Sequence, residues 1–144
     1  MRTAAFISAL LLAYAGIGHA ALGGPPEQFD TAVVSSVSSV APDYVLRTTT
    51  LASGTRVREY VSGSGVVFAV AWDGPFLPDL KRLLGKFFQN MTTEAKKSPR
   101  AGRSHLAVDL PEVVIQSGGH MRAFEGSAWL PAELPAGFAA GDVR

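Results

Sequence analysis

Cysteine is absent from the 144-residue chain. This absence excludes disulfide bridges, so the folded state must be held by its apolar core alone, which is feasible at this length. Histidine is scarce as well, since only His105 and His120 follow the N-terminal segment. Two histidines without an arranged carboxylate are weak evidence for a shared metal, so we expect no metal site and no cofactor.

An excess of charge of one sign is also lacking. The chain has 13 Lys and Arg residues against 12 Asp and Glu residues, and loss of a leader that contains Arg2 makes the two counts equal, at 12 each. Without a global field to attract a polyanion, we expect no nucleic-acid partner. Basic residues cluster locally, which a solvated helix face and loop explain, with contact to an anionic surface polymer or lipid headgroups as the alternative. They are Lys81, Arg82, Lys86, Lys96, Lys97, Arg100 and Arg103.

A long apolar run lies near the N-terminus, at Ala4–Ile17, after the positive charge of Arg2. Small residues in the following Gly-His-Ala match a signal-peptidase site, which predicts a signal peptide over residues 1–20 and cleavage between Ala20 and Ala21. The alternative is a membrane anchor, but a spanning helix needs roughly 20 apolar residues and this run is shorter. The sequence therefore predicts a periplasmic or secreted protein with no transmembrane span after cleavage.

The mature chain has the length of a single domain. Residues 21–42, rich in Gly, Pro and Ser, fit no long helix and are interpreted as an irregular lead-in with at most a short turn or strand. Three segments rich in β-branched and aromatic residues then predict a three-strand meander. They are Tyr44–Leu51, Thr55–Ser62 and Val66–Trp72, joined by a loop at Ala52–Gly54 and a type II′ turn at Gly63-Ser64.

Leu and Phe residues at helical spacing within Pro75–Met91 predict one helix that covers one face of the sheet. Residues 92–104 are polar and basic and are interpreted as a mobile linker. The order of elements predicts the α+β class, with an antiparallel sheet built from the meander and a C-terminal hairpin, in a domain spanning 43–130. The remaining segments are strands at His105–Asp109, Val113–Ser117 and His120–Leu130, a hairpin turn at Gly118-Gly119, and an irregular tail at 131–144.

The loop at Ala52–Gly54 sets the register of the first two strands and places Arg47 opposite Glu59. Glu59 then lies within an apolar sheet face, where an unpaired charge is costly, so Arg47 is predicted as its structural ion-pair partner. Counting across the next turn places Glu59 opposite Phe68. The same counting assigns to this face Val45, Leu51, Val57, Val61, Val66, Phe68, Val70 and Trp72.

The second face of the meander has small apolar residues in its floor and Arg56, Arg58 and Tyr60 at its rim. One helix cannot cover both faces, so we expect partial closure of this face by the tail and the lead-in, whose apolar residues must also be buried. If the face is open, Tyr and Arg around small residues are typical of an interaction surface, with Arg58 and Tyr60 as its anchors.

No catalytic motif accompanies these elements. Ser64 lies in a Gly-Ser-Gly turn, and the G-x-S-x-G pentapeptide of hydrolases does not occur. The carboxylates are scattered along the chain, and Leu22-Gly23-Gly24 does not precede a strand-to-helix turn that would cradle a phosphate. We therefore assign no catalytic residue, and an enzyme of unrecognised type remains the alternative, with His120 or Glu59 as the residue to test first.

Two stretches, VREYVSGSGVVFAVAWDGPFLPDLKRLLG and VVIQSGGHMRAFEGSAWLPAELPAGF, together with the leader and Leu22-Gly23-Gly24, carry a family resemblance. They resemble the bacterial family called domain of unknown function 2844, and the resemblance covers nearly all of the mature chain. It implies a small exported protein of Gram-negative bacteria, and it implies no activity and no site residues.

From these observations we interpret the chain as a non-enzymatic binding or accessory protein of the envelope. Its expected partner is an envelope protein or an anionic surface polymer. Besides the enzyme, one further alternative is open, a subunit of a surface assembly that recruits a partner strand through a sheet edge.

Overall fold

A computed structural model describes residues 21–29, 33–97 and 105–144, so the predicted leader and residues 98–104 of the predicted linker lie outside the described residues. The described chain forms one antiparallel sheet of seven strands with a helical layer on one face, which confirms the α+β class. The strand order is β1-β2-β3-β4-β7-β6-β5. In chain order the strands are β1 Val33–Val40, β2 Tyr44–Leu51, β3 Arg56–Ser62, β4 Val67–Gly74, β5 His105–Asp109, β6 Val114–His120 and β7 Ala123–Trp129.

Strand β1 forms where the sequence predicts an irregular lead-in. Pro42 and Asp43 make a tight turn in which Ala41 N donates to Tyr44 O at 2.8 Å, and β1 then pairs along the whole of β2. The Ser-Val run shows no alternation of burial because its described side chains are exposed on both faces. Pairing of its backbone with β2, and not burial of its side chains, therefore makes this segment extended.

The turn between β3 and β4 differs from the prediction. Gly65 has a φ of 83°, whereas Gly63 is not among the glycines with positive φ. A type II′ turn requires positive φ at its first central residue, so the predicted Gly63-Ser64 turn is wrong. The loop has three residues and closes with Gly65 N donating to Ser62 O at 2.9 Å.

A β-bulge at Phe68 follows this loop. Tyr60 pairs with Ala69 while Val61 pairs with Val67, so Phe68 is the extra residue. Because a bulge shifts the alternation of side chains by one residue, Phe68 lies on the opposite face from the one predicted. Val67 takes the buried place expected for Val66, and Glu59 lies opposite Val70 instead of Phe68.

The last hairpin also turns later than predicted. Strand β6 runs through Gly118 and Gly119, and His120 pairs with Ala123, so Met121 and Arg122 form the turn. Gly119 is required for a different reason, since a Cβ at this position would overlap the carbonyl oxygen of Ala123.

The helical layer consists of α1 Leu80–Leu84, a 3-10 turn at Gly85–Phe87 and α2 Phe88–Lys97. Asp79 caps α1 through its side chain, which accepts from Arg82 N at 3.1 Å. Gly85 has a φ of 55° and breaks the single helix that the sequence predicts. Helix α2 continues to Lys97, so the first six residues of the predicted mobile linker, 92–97, are helical.

Each face of the sheet has its own core. The helix-side core contains Leu22 as well as sheet and α1 residues, and the tail-side core is covered by residues 131–144. Phe138 of the tail packs edge-on against Phe68, with ring centroids 5.1 Å apart. The helix-side core includes Val57, Val67, Val70, Trp72, Leu83, Leu84 and Ile115, and the tail-side core includes Tyr60, Phe68, Ala69, Ala71 and Val143.

Candidate functional site

A cleft of about 570 Å³ opens on the tail side of the sheet, next to the last residues of the tail. Two neighbouring rows of residues form its floor. Within each row, the residues are cross-strand pairs that run over β3, β4, β7 and β6 in turn. The row nearer the edge is Arg56, Asp73, Glu125 and Gly118, and β5 extends it to His105. The inner row is Arg58, Ala71, Ser127 and Gln116.

The tail sets the inner limit of this cleft. The next row on the same face begins with Tyr60 and Ala69, and the tail-side core covers both of these residues. Val143 and Arg144 stand at the boundary and line the cleft. The cleft is therefore the part of the face that the tail leaves open. The tail closes this face in part, as expected, whereas the lead-in, which was expected to help, packs Leu22 into the helix-side core.

Asp73 holds the two arginines of the cleft side by side. One carboxylate oxygen lies 2.8 Å from Arg56 Nη2, and the other lies 2.7 Å from Arg58 Nη1. Arg56 is largely exposed, whereas the Arg58 side chain keeps only 19 % of its exposure. One carboxylate thus orients two guanidinium groups and neutralises only one of their charges, so positive charge is left over at this end of the cleft.

Arg58 has a donor without a partner. Its Nε is buried, and no described residue accepts a hydrogen bond from it. A buried N–H that lacks an acceptor costs about 1–3 kcal/mol, more when it belongs to a charged group. Because Nε has almost no accessible surface, a bound molecule can reach only the part of the Arg58 side chain that is exposed, which is 19 % of it.

The remaining residues that line the cleft are mostly small or polar. Gly118 and Gly126 have no side chains and keep the floor open, while Gln116, Ser127 and Glu125 offer donors and acceptors along it. Three arginines and two carboxylates line the cleft, so its side-chain charge is positive. Among the described residues, no group of three His, Asp or Glu side chains is placed to hold a metal ion.

Tyr60 lies beneath the tail, with 4 % of its surface exposed. Its hydroxyl is 3.1 Å from Asp142 O and 3.0 Å from Arg144 O, and it accepts from Arg144 N at 3.2 Å. Of the three residues predicted for the interaction surface, the structure places Arg56 and Arg58 in the cleft and puts Tyr60 in the adjoining core.

Glu59 lies on the other face of the sheet and is fully buried. Its Oε1 accepts from Glu27 N at 2.6 Å, and Arg47 Nη1 is 3.5 Å from its Oε2. Burial raises the pKa of Glu59 to about 7, while the hydrogen bond from Glu27 N and the charge of Arg47 lower it and the charge of Glu27 raises it.

Glu27 is the second buried carboxylate of this group, and its Oε1 lies 2.6 Å from Arg82 Nη2. The four side chains of Glu59, Glu27, Arg47 and Arg82 tie the lead-in, the sheet and α1 together. Neither carboxylate reaches solvent, which supports a structural role for the network. The pattern of the sequence gives no signal for Glu27, because its Pro-rich segment has no periodicity that would predict burial.

The other candidates of the sequence lie apart from the cleft or at its edge. His120 is exposed at the end of β6, and His105 reaches only the outer end of the cleft. The predicted basic cluster is divided: Arg82 contacts Glu27, Lys97 Nζ contacts Glu94 Oε1 at 2.6 Å, and Arg100 and Arg103 lie outside the described residues. Lys81, Lys86 and Lys96 remain exposed on the helical layer, so positive charge lies there as well as in the cleft.

Comparison with known proteins gives a family and no assigned activity. The family model described as "Protein of unknown function (DUF2844)" matches residues 18–143. No curated protein and no solved structure matches the chain. Within the described ranges, no helix is long and apolar enough to cross a membrane.

Proposed function

We propose that this chain, which belongs to the DUF2844 family of unknown function, is an exported binding protein that takes an acidic polymer segment into its cleft. The ligand class is an anionic polysaccharide of the cell envelope, and the role is accessory and not catalytic. Strands β3 and β4 supply the arginine wall of the cleft, and the β6–β7 hairpin supplies the opposite wall.

The observation that carries this proposal is the pair of arginines that Asp73 orients at one end of the cleft. Its carboxylate lies 2.7 Å from Arg58 Nη1 and 2.8 Å from Arg56 Nη2, so one anion faces two cations. A carboxylate of a sugar acid accepts two parallel hydrogen bonds from a guanidinium, which suits a pre-oriented arginine. The polar floor beyond Arg58 then offers Ser127 and Gln116 to sugar hydroxyls.

Export is supported by the N-terminal sequence. Arg2, the apolar run at Ala4–Ile17 and the small residues before Ala21 have the order of a cleaved signal peptide, and we place the protein in the periplasm or outside a Gram-negative cell. Such a location gives direct access to envelope polymers.

A non-enzymatic role is supported by the positions of the carboxylates. Asp73 is engaged by two arginines, and Glu59, the carboxylate with the raised pKa, is buried on the opposite face of the sheet. An acid or base catalyst must reach the reacting atoms, and Glu59 has no exposed surface with which to do so.

Titration calorimetry with a short oligogalacturonate tests the proposal, with neutral dextran as the control ligand. We expect binding of the acidic oligomer only, with an affinity that falls as salt is added. Arg58→Gln should weaken binding by at least about tenfold, since a charge-assisted hydrogen bond contributes about 1.5–3 kcal/mol.

Arg122→Gln is the matched control variant, because Arg122 lies in the exposed β6–β7 turn and does not line the cleft. It removes the same charge and should leave binding unchanged. Equal binding of dextran and oligogalacturonate, or equal losses in the two variants, would contradict the proposal.

A further inference from the structure

Among the described residues, none pairs with the outer edge of strand β1, so this edge of the sheet is open. It is eight residues long, VVSSVSSV, and contains no charge and no proline. Its described side chains are exposed on both faces, with Val37 64 % and Val40 81 % exposed. Natural edge strands are usually protected by charges, prolines or a covering element, because an open edge pairs readily with another strand.

The opposite edge shows what such protection looks like in this molecule. Strand β5 is only five residues long, carries His105 and Asp109 at its ends, and is contacted by α2. Among the described strands, β1 is the one edge strand that lacks charged residues and a covering helix. The difference indicates that the β1 edge is used for pairing.

The sequence of β1 identifies the occupant of this edge. Residues 34–40 read VSSVSSV in both directions, so the segment is symmetric about Val37. When two copies pair antiparallel about Val37, every residue faces its own kind. Val37 lies opposite Val37 of the second copy, and Ser35 lies opposite Ser39 of the second copy. An unrelated partner strand would not require this symmetry.

The backbone hydrogen-bonding pattern of β1 is compatible with that pairing. Ala41 N donates to Tyr44 O, and pairing is regular back to Ser35, so hydrogen-bonded and non-hydrogen-bonded pairs alternate from this point. By this alternation Val37 directs its backbone groups toward β2. Ser36 and Ser38 direct theirs to the open edge, where they can pair with the same two residues of a second copy.

We propose that the protein forms a two-fold symmetric dimer in which β1 pairs antiparallel with β1 of a second copy, centred on Val37. The symmetric pairing uses up the open edge on both copies, so the assembly closes at two and does not grow into a fibre. This inference does not depend on the proposed ligand of the cleft.

The dimer has a consequence for the cleft. Its two-fold axis is perpendicular to the sheet, so both clefts open on the same side. Val37, Thr48 and Arg58 lie in one row, which continues through the axis into the second copy. With a spacing of about 4.8 Å between strands, the two Arg58 residues lie about 24 Å apart along that row. One polymer chain can therefore contact both clefts, which raises the effective affinity.

Cysteine cross-linking tests the register, because the natural chain contains no cysteine. In a non-hydrogen-bonded antiparallel pair the Cα atoms are about 4.5 Å apart, which lies within the range that a disulfide bridges. Val37→Cys should therefore give a covalent dimer under mild oxidation. Ser39→Cys is the matched control, since the two substituted positions would be about 14 Å apart in the dimer.

A mixture of Ser35→Cys and Ser39→Cys should form the mixed disulfide, while each variant alone should not. Sedimentation equilibrium of the unmodified mature chain should show a monomer–dimer equilibrium, and Val37→Lys should shift it to monomer with an unchanged circular dichroism spectrum. Equal cross-linking of Val37→Cys and Ser39→Cys, or a monomer across the whole concentration series, would overturn the proposal.

Discussion

Replacement of Glu59 by Gln should abolish a specific pH dependence of stability. Burial raises the pKa of this carboxyl from 4.5 to about 7 in the folded protein, so the folded state holds its proton more tightly than the unfolded state between these pH values. This rise of the pKa corresponds to about 3 kcal/mol of differential stability between the protonated and ionised forms.

The sign follows from proton binding. Below about pH 4.5 the carboxyl is protonated in both states and the stabilisation is fully present. As pH rises through 7 the folded state must bury an anion, and the stabilisation is lost. Glu59→Gln keeps an oxygen that can accept from Glu27 N, and it never ionises.

Urea denaturation of the two proteins at several pH values between 4 and 9 measures the effect. The difference in unfolding free energy, wild type minus Glu59→Gln, should fall by about 3 kcal/mol across this window and then level off. Taking the difference cancels the contributions of the other carboxylates. Glu112→Gln, at an exposed turn position, is the matched control and should keep the wild-type slope.

A pH slope that is identical in wild type and Glu59→Gln would refute this reasoning. It would mean that Glu59 stays ionised in the folded state, held by the Arg47 and Arg82 network. If Glu59→Gln is then less stable than wild type by the same amount at every pH, the charge of Glu59 is required for stability.

Two further substitutions, at Gly126 and Tyr60, test the packing around the cleft. Gly126→Ala should destabilise the fold by about 1–3 kcal/mol, because a Cβ there would overlap the Trp72 ring. Gly141→Ala is the control and should be nearly neutral, since no atom lies within 4 Å of a Cβ at that position. Thermal melts of both variants check this prediction, and equal melting temperatures would contradict it. Tyr60→Phe should cost about 1 kcal/mol and speed proteolysis of the tail, because the hydroxyl holds Arg144 N at 3.2 Å; an unchanged cleavage rate would show that the aromatic contacts alone fix the tail.

The parts of the fold that short-range chemistry controls could be predicted from the sequence. The loop at Ala52–Gly54 fixes the register in which Arg47 pairs with Glu59, because Gly54 supplies the positive φ that closes a three-residue loop. The continuous apolar run of β4 likewise predicts a central strand, and β4 lies at the middle of the sheet.

The remaining features depend on long-range contacts that leave no local pattern. The bulge at Phe68 arises where β3 and β4 meet after the loop, and it moves one aromatic side chain to the other core. The described side chains of β1 are all exposed, so periodicity could not reveal this strand. The Pro42-Asp43 turn was the available signal for β1, and it becomes meaningful only when the following strand is taken as its partner.

The cleft could be predicted only in part. Arg56 and Arg58 lie on the expected face because strand alternation places them there, but the sequence could not show that the tail stops short of them. Contributions from Ser127, Gly118 and Gln116 depend on the pairing of β4 with β7, which joins segments more than 50 residues apart.

Amide chemical shifts of the labelled mature protein, followed during titration with oligogalacturonate, test the central claim most directly. Binding in the cleft predicts saturable shifts at Arg58, Gly118 and Ser127, with little change at Glu59 on the opposite face, and predicts that Arg58→Gln removes them. Shifts confined to β1 or α2, or none at any ratio of ligand to protein, would contradict the assignment of the cleft as the binding site.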